Sequence, residues 1–389
     1  MIETQEQKQK NNSQQKSTEK NKSASSSSFK PSKLFHKYKG KGLSGLQNVG
    51  NTCFINSCMQ VLSHTYELTH FLDKETYKPK LNKKCDTALL VEWNELRKLL
   101  WAQNCVVSPR RFIQITHKVA ELKGVEVFNG YSQNDLPEFL LFVIDCFHNS
   151  ICRETPMDIV GVVENETDSI AQQCYEMIKQ MYSKEYSEIW NMFYAVHVSE
   201  IVSIEPNKPG KVLKRNPEPF FMINLPIPEK KNMFTKLSLY DCFDLYVKGE
   251  TLEGENAWYN DVSKKKESVN KRISFWSFPS ILVVDLKRFD SMGKKNSVLV
   301  DVPVDNFDLS KYVIGYNKET YVYELYAICN HVGNQHGGHY FSYIKNADGS
   351  WYMFNDDVVQ CIVSSDIQAN IDKLITPYAY CLFFRKKCL

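Results

Sequence analysis

The sequence predicts an α+β fold in which helices come first and strands follow. Up to about residue 190 the apolar residues recur at a helical period; beyond it they alternate at a period of two, in segments rich in Val, Ile, Phe and Tyr. Separate runs of helices and strands imply segregated layers, and a cleft between a helical lobe and a sheet lobe is a natural site. The length of 389 residues suits one large domain or two ordinary ones, and 43% hydrophobic content supports a sizeable core.

The elements follow in order. Residues 53–63 form a helix apolar on most sides, with Asn56, Gln60 and Ser63 as its polar stripe, so it belongs at the centre of the core. A second helix covers 86–101. A third covers 108–120, with Ser108 as N-cap and Pro109 in the first turn. A fourth lies in 132–150: Leu136, Phe139, Leu140, Val143, Ile144 and Phe147 share a face, and Asp135 is its N-cap. Later come MFYAVHVSEIVS, PFFMINL, ILVVDLKRF, YELYAICNHV, HYFSYIK, WYMF and AYCLFFR as strands. One helix interrupts them at 238–247, opened by a Ser238/Asp241 capping box. The charged segment 248–272 reads as an exposed hairpin or insertion.

Composition excludes several function classes. The net charge is +3, and the basic surplus sits in residues 1–33, a Lys/Gln/Ser-rich stretch with almost nothing to bury. We expect residues 1–40 to be a disordered tail, and no nucleic-acid partner. The twelve cysteines include no C-x-x-C pair, which argues against zinc ribbons and redox motifs. No secretory h-region and no apolar run of about 18 residues is present, so we expect an intracellular protein, cytoplasmic or nuclear, with free thiols and no membrane span.

One cysteine differs from the rest. In GLQNVGNTCFINSCMQVL (45–62) a glycine-containing loop turns into the buried helix at Cys53, with Asn51 or Thr52 placed to cap it. A sulfur at a helix N-terminus is favoured as thiolate, the nucleophilic form. The Cys53 N–H and the Asn48 side chain can donate to an oxyanion there. A cysteine nucleophile needs a base and an orienter. His339 follows Gly337-Gly338 and opens a strand; NADGS (346–350) has hairpin-turn chemistry, which brings Asn355 and Asp356 beside it. Either residue can hold the His339 Nδ1–H and fix the tautomer. The bland readings stay open at this point: Cys53 as the first buried residue of its helix, His339 as a structural histidine, or His331, His336 and His339 around a metal at an unfamiliar spacing.

The conjunction of four motifs resembles the ubiquitin-specific protease family. GLQNVGNTCFINSCMQVL resembles its Cys box and ICNHVGNQHGGHYFSYIKNADGSWYMFNDDVV its His box; YSQNDLPEFLLFVIDC resembles its Gln-x-Asp-x-x-Glu helix, and PSILVVDLKRFD the strand before the His box. The resemblance implies a papain-like right hand in residues 41–389: a helical thumb over about 42–190, then β fingers and a β palm over about 191–389. It implies a thiol-dependent deubiquitinase hydrolysing the isopeptide or peptide bond after the C-terminal Gly of ubiquitin. Cys53 is then the nucleophile, His339 the general base, Asn355 the third member, with Asp356 its possible co-worker, and Asn48 the oxyanion donor. Gln133, Asp135, Gly338 and Tyr340 line the channel for ubiquitin's tail. The partners implied are ubiquitin and ubiquitinated proteins, acted on by a monomer without cofactor.

This chain departs from the family pattern twice. Asn260 and Ser263 stand where many members carry the first zinc-binding C-x-x-C pair of the fingers, so we expect no metal. The third triad position is Asn rather than Asp. A ubiquitin-binding pseudoenzyme, or a protease for another modifier or a plain peptide, keeps the same motifs.

Overall fold

The computed structural model describes residues 33–205, 209–230, 232, 234–335, 337–364 and 373–387. Most of the expected N-terminal tail, and His336, lie outside them. The helical lobe holds α1 (Cys53–His64), α2 (Tyr66–Asp73), α3 (Asp86–Ala102), α4 (Arg110–Lys123), α5 (Leu136–Ile151), α6 (Glu166–Glu185) and α7 (Glu188–Phe193). The sheet lobe adds α8 (Leu239–Lys248). Every residue of α1 is buried, as its nearly all-round apolar sequence requires.

The principal sheet has eight strands. Its order is 358–363, 351–355, 337–345, 322–334, 379–386, 281–287 and 222–226, and the short strand 307–308 pairs with 322–334 off this path. The pairings are antiparallel except between 281–287 and 222–226. Side-chain alternation buries both faces. Ile281, Val283, Cys381 and Phe383 pack with α1 and α5, whereas Leu282, Val284, Leu382 and Phe384 pack with Phe243 of α8. A second, four-stranded sheet (212–220, 195–203, 269–275, 250–252) extends away, and 258–260 pairs with 265–267 as a hairpin inside the charged 248–272 segment. A helical lobe, an eight-stranded sheet and a four-stranded sheet are all present, as the α+β expectation requires, but the two sheets interleave: strand 222–226 of the large sheet lies between 212–220 and 250–252 of the small one.

The lobes are fastened by buried charge. The Arg385 guanidinium donates to Glu67 Oε1 at 2.6 Å and to the His64 carbonyl at 3.2 Å, and stacks over Tyr66 and Tyr326. It therefore ties the C-terminal palm strand to the start of α2 and the end of α1. Arg288, 1% exposed, donates to the carbonyls of Ala379, Asn296 and Val298, so the LKRF arginine pins the 296–298 loop to the palm.

Several elements differ from expectation. The third helix has Pro109 rather than Ser108 at its cap position, one residue later than the sequence suggests. The ends of the charged 248–272 segment are not an exposed insertion: 250–252 and 269–272 are paired strands of the four-stranded sheet, and Val269 is buried. The helices α2, α6 and α7 and the strands 212–220 and 358–363 are additions. Helix α6 buries only Ile170, Ala171 and Cys174, too thin a stripe to stand out in a polar segment. No helix among the described residues is long and apolar enough to cross a membrane.

Candidate active site

Cys53 is the first residue of α1 and is 3% exposed. The loop before it is self-bonded. Asn48 Oδ1 accepts from the N–H groups of Gly50 (3.1 Å) and Thr52 (3.2 Å) and from the Thr52 hydroxyl (3.2 Å), while Thr52 Oγ1 accepts from Val49 N–H at 3.2 Å. The expected cap is therefore not made. Thr52 occupies the N-cap position, but its hydroxyl serves the loop, and Asn51, at φ 51°, donates to the Tyr131 carbonyl at 3.0 Å. The first-turn N–H groups stay directed at the sulfur.

The charge state of that sulfur corrects a second expectation. Burial, the largest influence, pushes the Cys53 thiol up from its ordinary value; the backbone N–H groups of Tyr340, Phe54 and Cys53 pull the other way, and the Asp356 carboxylate adds to the rise. Desolvation outweighs the helix terminus here. Burial thus works against the thiolate, and a base that accepts the thiol proton favours its formation. The Tyr340 N–H at the sulfur also fixes position: the strand 337–345 crosses the start of α1 at the residue after His339.

His339 is half-buried, and its Nε2 lies 2.5 Å from Asn355 Oδ1. An amide oxygen only accepts, so Nε2 carries the proton and Nδ1 is the basic nitrogen of the neutral ring. The sequence places Asn355 on Nδ1; the structure places it on the opposite nitrogen, leaving Nδ1 for the reacting partner.

Asp356 does not share that duty. It sits in the turn after the strand at φ 50°, which sends its side chain away from Asn355's. Its Oδ2 accepts from Asn48 Nδ2 at 3.0 Å and its Oδ1 from buried Asn56 Nδ2 at 2.8 Å. The Asp356 carbonyl also accepts from Leu46 N–H at 2.8 Å. Asn48 is thereby held at both ends of its amide, with one N–H left over for a further acceptor. Asn56, read from sequence as part of a polar stripe, is the anchor of this bridge.

A cleft of about 300 Å³ opens beside Cys53, lined by Phe54, Gln133, Asp135, Phe289, Gly338, Tyr340 and Tyr380 among others. Gln133 Oε1 accepts from Gly338 N–H across it at 2.8 Å. A Cβ on Gly337 would stand 2.7 Å from that oxygen, and one on Gly338 would stand 2.4 Å from His331 Nε2 and from the Val332 carbonyl. The two glycines exist for close approach, as the sequence suggests, although the neighbours are a side chain and the paired strand. Asp135 caps α5, accepting from Glu138 N–H at 3.4 Å, and its Oδ2 accepts from Tyr380 at 2.7 Å and Tyr340 at 3.5 Å. Burial raises the Asp135 carboxyl against these donors. Tyr380, in the strand 379–386, and Phe289, just past the end of 281–287, are missed in the sequence because both read only as core aromatics.

The metal alternative loses its histidine. His331 is buried and packs on Tyr340 with ring centroids 4.6 Å apart; burial and then Lys295 hold its pKa down at about 4. In the fingers, Asn260 Nδ2 and Ser263 Oγ both donate to Glu267 Oε1, at 2.9 and 2.5 Å, and Asn260 Oδ1 accepts from the N–H groups of Val262 and Ser263. Hydrogen bonds close the hairpin tip.

Comparison with known proteins gives the same frame. The family model described as ubiquitin carboxyl-terminal hydrolase matches residues 44–384. Human ubiquitin carboxyl-terminal hydrolase 2 is 32% identical over 354 residues, covering 88% of this chain and 55% of the relative. Human ubiquitin carboxyl-terminal hydrolase 21 is 32% identical over 352 residues, covering 85% of this chain and 60% of the relative. The chain thus spans little more than half the length of these relatives. Among solved structures, the SAGA Ubp8/Sgf11/Sus1/Sgf73 DUB module bound to ubiquitin aldehyde superposes with a TM-score of 0.67 at 24% identity, over 90% of this chain and 71% of that one, a likeness of fold.

Proposed function

The chain belongs to the ubiquitin carboxyl-terminal hydrolase family, and from that premise we propose that it is a deubiquitinase working through Cys53, His339 and Asn355. The observation that carries the proposal is the meeting of two elements at the head of α1: a buried sulfur facing the N–H of Tyr340, the residue that follows His339 on its strand, and a His339 imidazole whose Nε2 is held by Asn355 Oδ1 at 2.5 Å. Ubiquitin and ubiquitinated proteins are the partners this implies, inside the cell.

The chemistry follows from these groups. His339 Nδ1 takes the Cys53 proton as the sulfur attacks the carbonyl carbon of ubiquitin's last Gly. The oxyanion meets the Cys53 N–H and the remaining Asn48 N–H, already aimed by Asp356. The imidazolium gives its proton to the departing lysine amine as the C–N bond breaks, leaving a thioester. Water, deprotonated by His339, adds to the thioester; its collapse frees ubiquitin's carboxylate and restores the thiol. Asn355 supplies no charge, so it orients the ring without stabilising the imidazolium as a carboxylate does. Gln133, Asp135, Gly338, Tyr340 and Tyr380 form the walls that receive the extended tail.

Turnover of ubiquitin carrying a C-terminal fluorogenic amide tests the reading. Cys53→Ala abolishes release of the fluorophore and retains ubiquitin binding; undiminished cleavage by that variant discards the assignment.

A further inference from the structure

Val332, His339, Asn355 and Val358 form a row across four neighbouring strands of the large sheet. Val332 pairs directly with His339, and Asn355 with Val358. The bond between His339 Nε2 and Asn355 Oδ1 joins the two pairs. Directly paired residues share a face. Phe341, two residues after His339, shares it as well, with its ring centroid 6.4 Å from the imidazole and the planes inclined by 22°. Tyr340, between them, points to the other face, where it lines the cleft. The imidazole thus lies between two aliphatic side chains that reach solvent: Val332 is 41% and Val358 50% exposed. Phe341 is half-buried, and the row contains no Lys, Arg, Asp or Glu.

The reaction fixes what comes to this face. His339 hands its proton to the departing amine, so the chain that bears the modified lysine must lie over the His339 side while ubiquitin's tail fills the cleft on the Tyr340 side. Resting on the deubiquitinase reading, we propose that Val332, Phe341 and Val358 form an acceptor-side subsite, which selects conjugates whose modified lysine has bulky apolar residues two positions before and two positions after it. The spacing carries that choice. Val332 and Val358 stand three strand spacings apart, roughly 14 Å. An extended chain covers about 13 Å between residues i−2 and i+2, and its period of two turns those side chains to the same side as the lysine. With the lysine reaching the His339–Asn355 pair in the middle, its two neighbours land on the two valines, and Phe341 walls the aliphatic stem. Covering the valines takes apolar surface out of water, which a lysine with polar neighbours does not do.

The test compares two ubiquitin–peptide conjugates joined through a lysine isopeptide, one with Leu two residues before and after the lysine, the other with Ser at both places. The wild-type chain should cleave the Leu conjugate with a kcat/KM at least about fivefold higher. Val332→Thr with Val358→Thr keeps the β-branched shape at two exposed positions. It should erase that preference while changing kcat/KM for the Ser conjugate by less than about twofold. Moving the two Leu to the positions immediately beside the lysine should erase the preference in the wild type too, because those side chains point away from the row. Equal rates on the Leu and Ser conjugates in the wild type, a preference that survives the double substitution, or an equal loss on both conjugates would each overturn the subsite. Cleavage of neither conjugate, with Cys53 also unlabelled by a ubiquitin probe carrying a C-terminal electrophile, would overturn both the subsite and the deubiquitinase reading beneath it.

Discussion

Asp356→Asn is the sharpest probe of the site. The carboxylate accepts from Asn48 Nδ2 at 3.0 Å and from Asn56 Nδ2 at 2.8 Å. An amide there keeps one acceptor oxygen and turns the other into a donor. Asn56 is 2% exposed and also tied to the Leu46 carbonyl, so it retains the oxygen. The new NH₂ then faces the Asn48 NH₂, donor against donor, and Asn48 swings out of the hole. The loss is one hydrogen bond to a charged acceptor, about 1.5–3 kcal/mol, plus the positioning of the oxyanion donor. The ceiling is loss of that donor altogether, roughly 10²–10³ in kcat. The assay is steady-state hydrolysis of the fluorogenic ubiquitin amide by wild type, Asp356→Asn, Asn48→Ala and the double variant. We expect kcat to fall toward the Asn48→Ala level, KM to move by less than about threefold, and the double variant to match Asn48→Ala alone. Additive losses, or an unchanged kcat in Asp356→Asn, would refute the reasoning.

Other expectations follow from the same geometry. Because burial holds the Cys53 thiol above its ordinary value, iodoacetamide alkylation of Cys53 in the free enzyme should rise with pH to a midpoint above the free-cysteine value of about 8.5, as read by peptide mass spectrometry; a midpoint near 6 would show a resting thiolate. Arg385→Ala strands Glu67 and Glu324 at the lobe junction and should destabilise by about 3–5 kcal/mol in urea unfolding. Burial works to raise the Glu188 carboxyl, but hydrogen bonds from Arg153 and Lys80 overcome it and hold its pKa at about 2. Its unfolded value is near 4.3, so its contribution is complete above about pH 5 and is lost as pH falls toward 2. Glu188→Gln should therefore cost about 2–3 kcal/mol at neutral pH and progressively less in acid.

How far the sequence reveals this molecule depends on the physics behind each feature. Helix α5 is legible because Asp135 caps it and its apolar face repeats without interruption; α8 is legible through its Ser238/Asp241 box, which forms as expected. Helix α6 is hidden by its polarity, and the strand 358–363 by its position at the sheet edge, where Val358, Gln360 and Cys361 are exposed. At the site, the head of α1 and the pairing of the His339 strand with the 351–355 strand follow from local signals. Which imidazole nitrogen meets Asn355, and where Asp356 points, depend on one left-handed turn and the loop packed beneath it, which no spacing encodes. The Gln133–Gly338 bond joins the two lobes across 205 residues, so it is set by docking of lobes rather than by local sequence.

The measurement that bears most directly on the account is the site of covalent capture by ubiquitin bearing a C-terminal electrophile, mapped by intact mass and peptide sequencing. The account predicts a single adduct, at Cys53, formed quickly by the wild-type chain and far more slowly by His339→Ala. An adduct on any other of the twelve cysteines, or capture at Cys53 that ignores loss of His339, would contradict it.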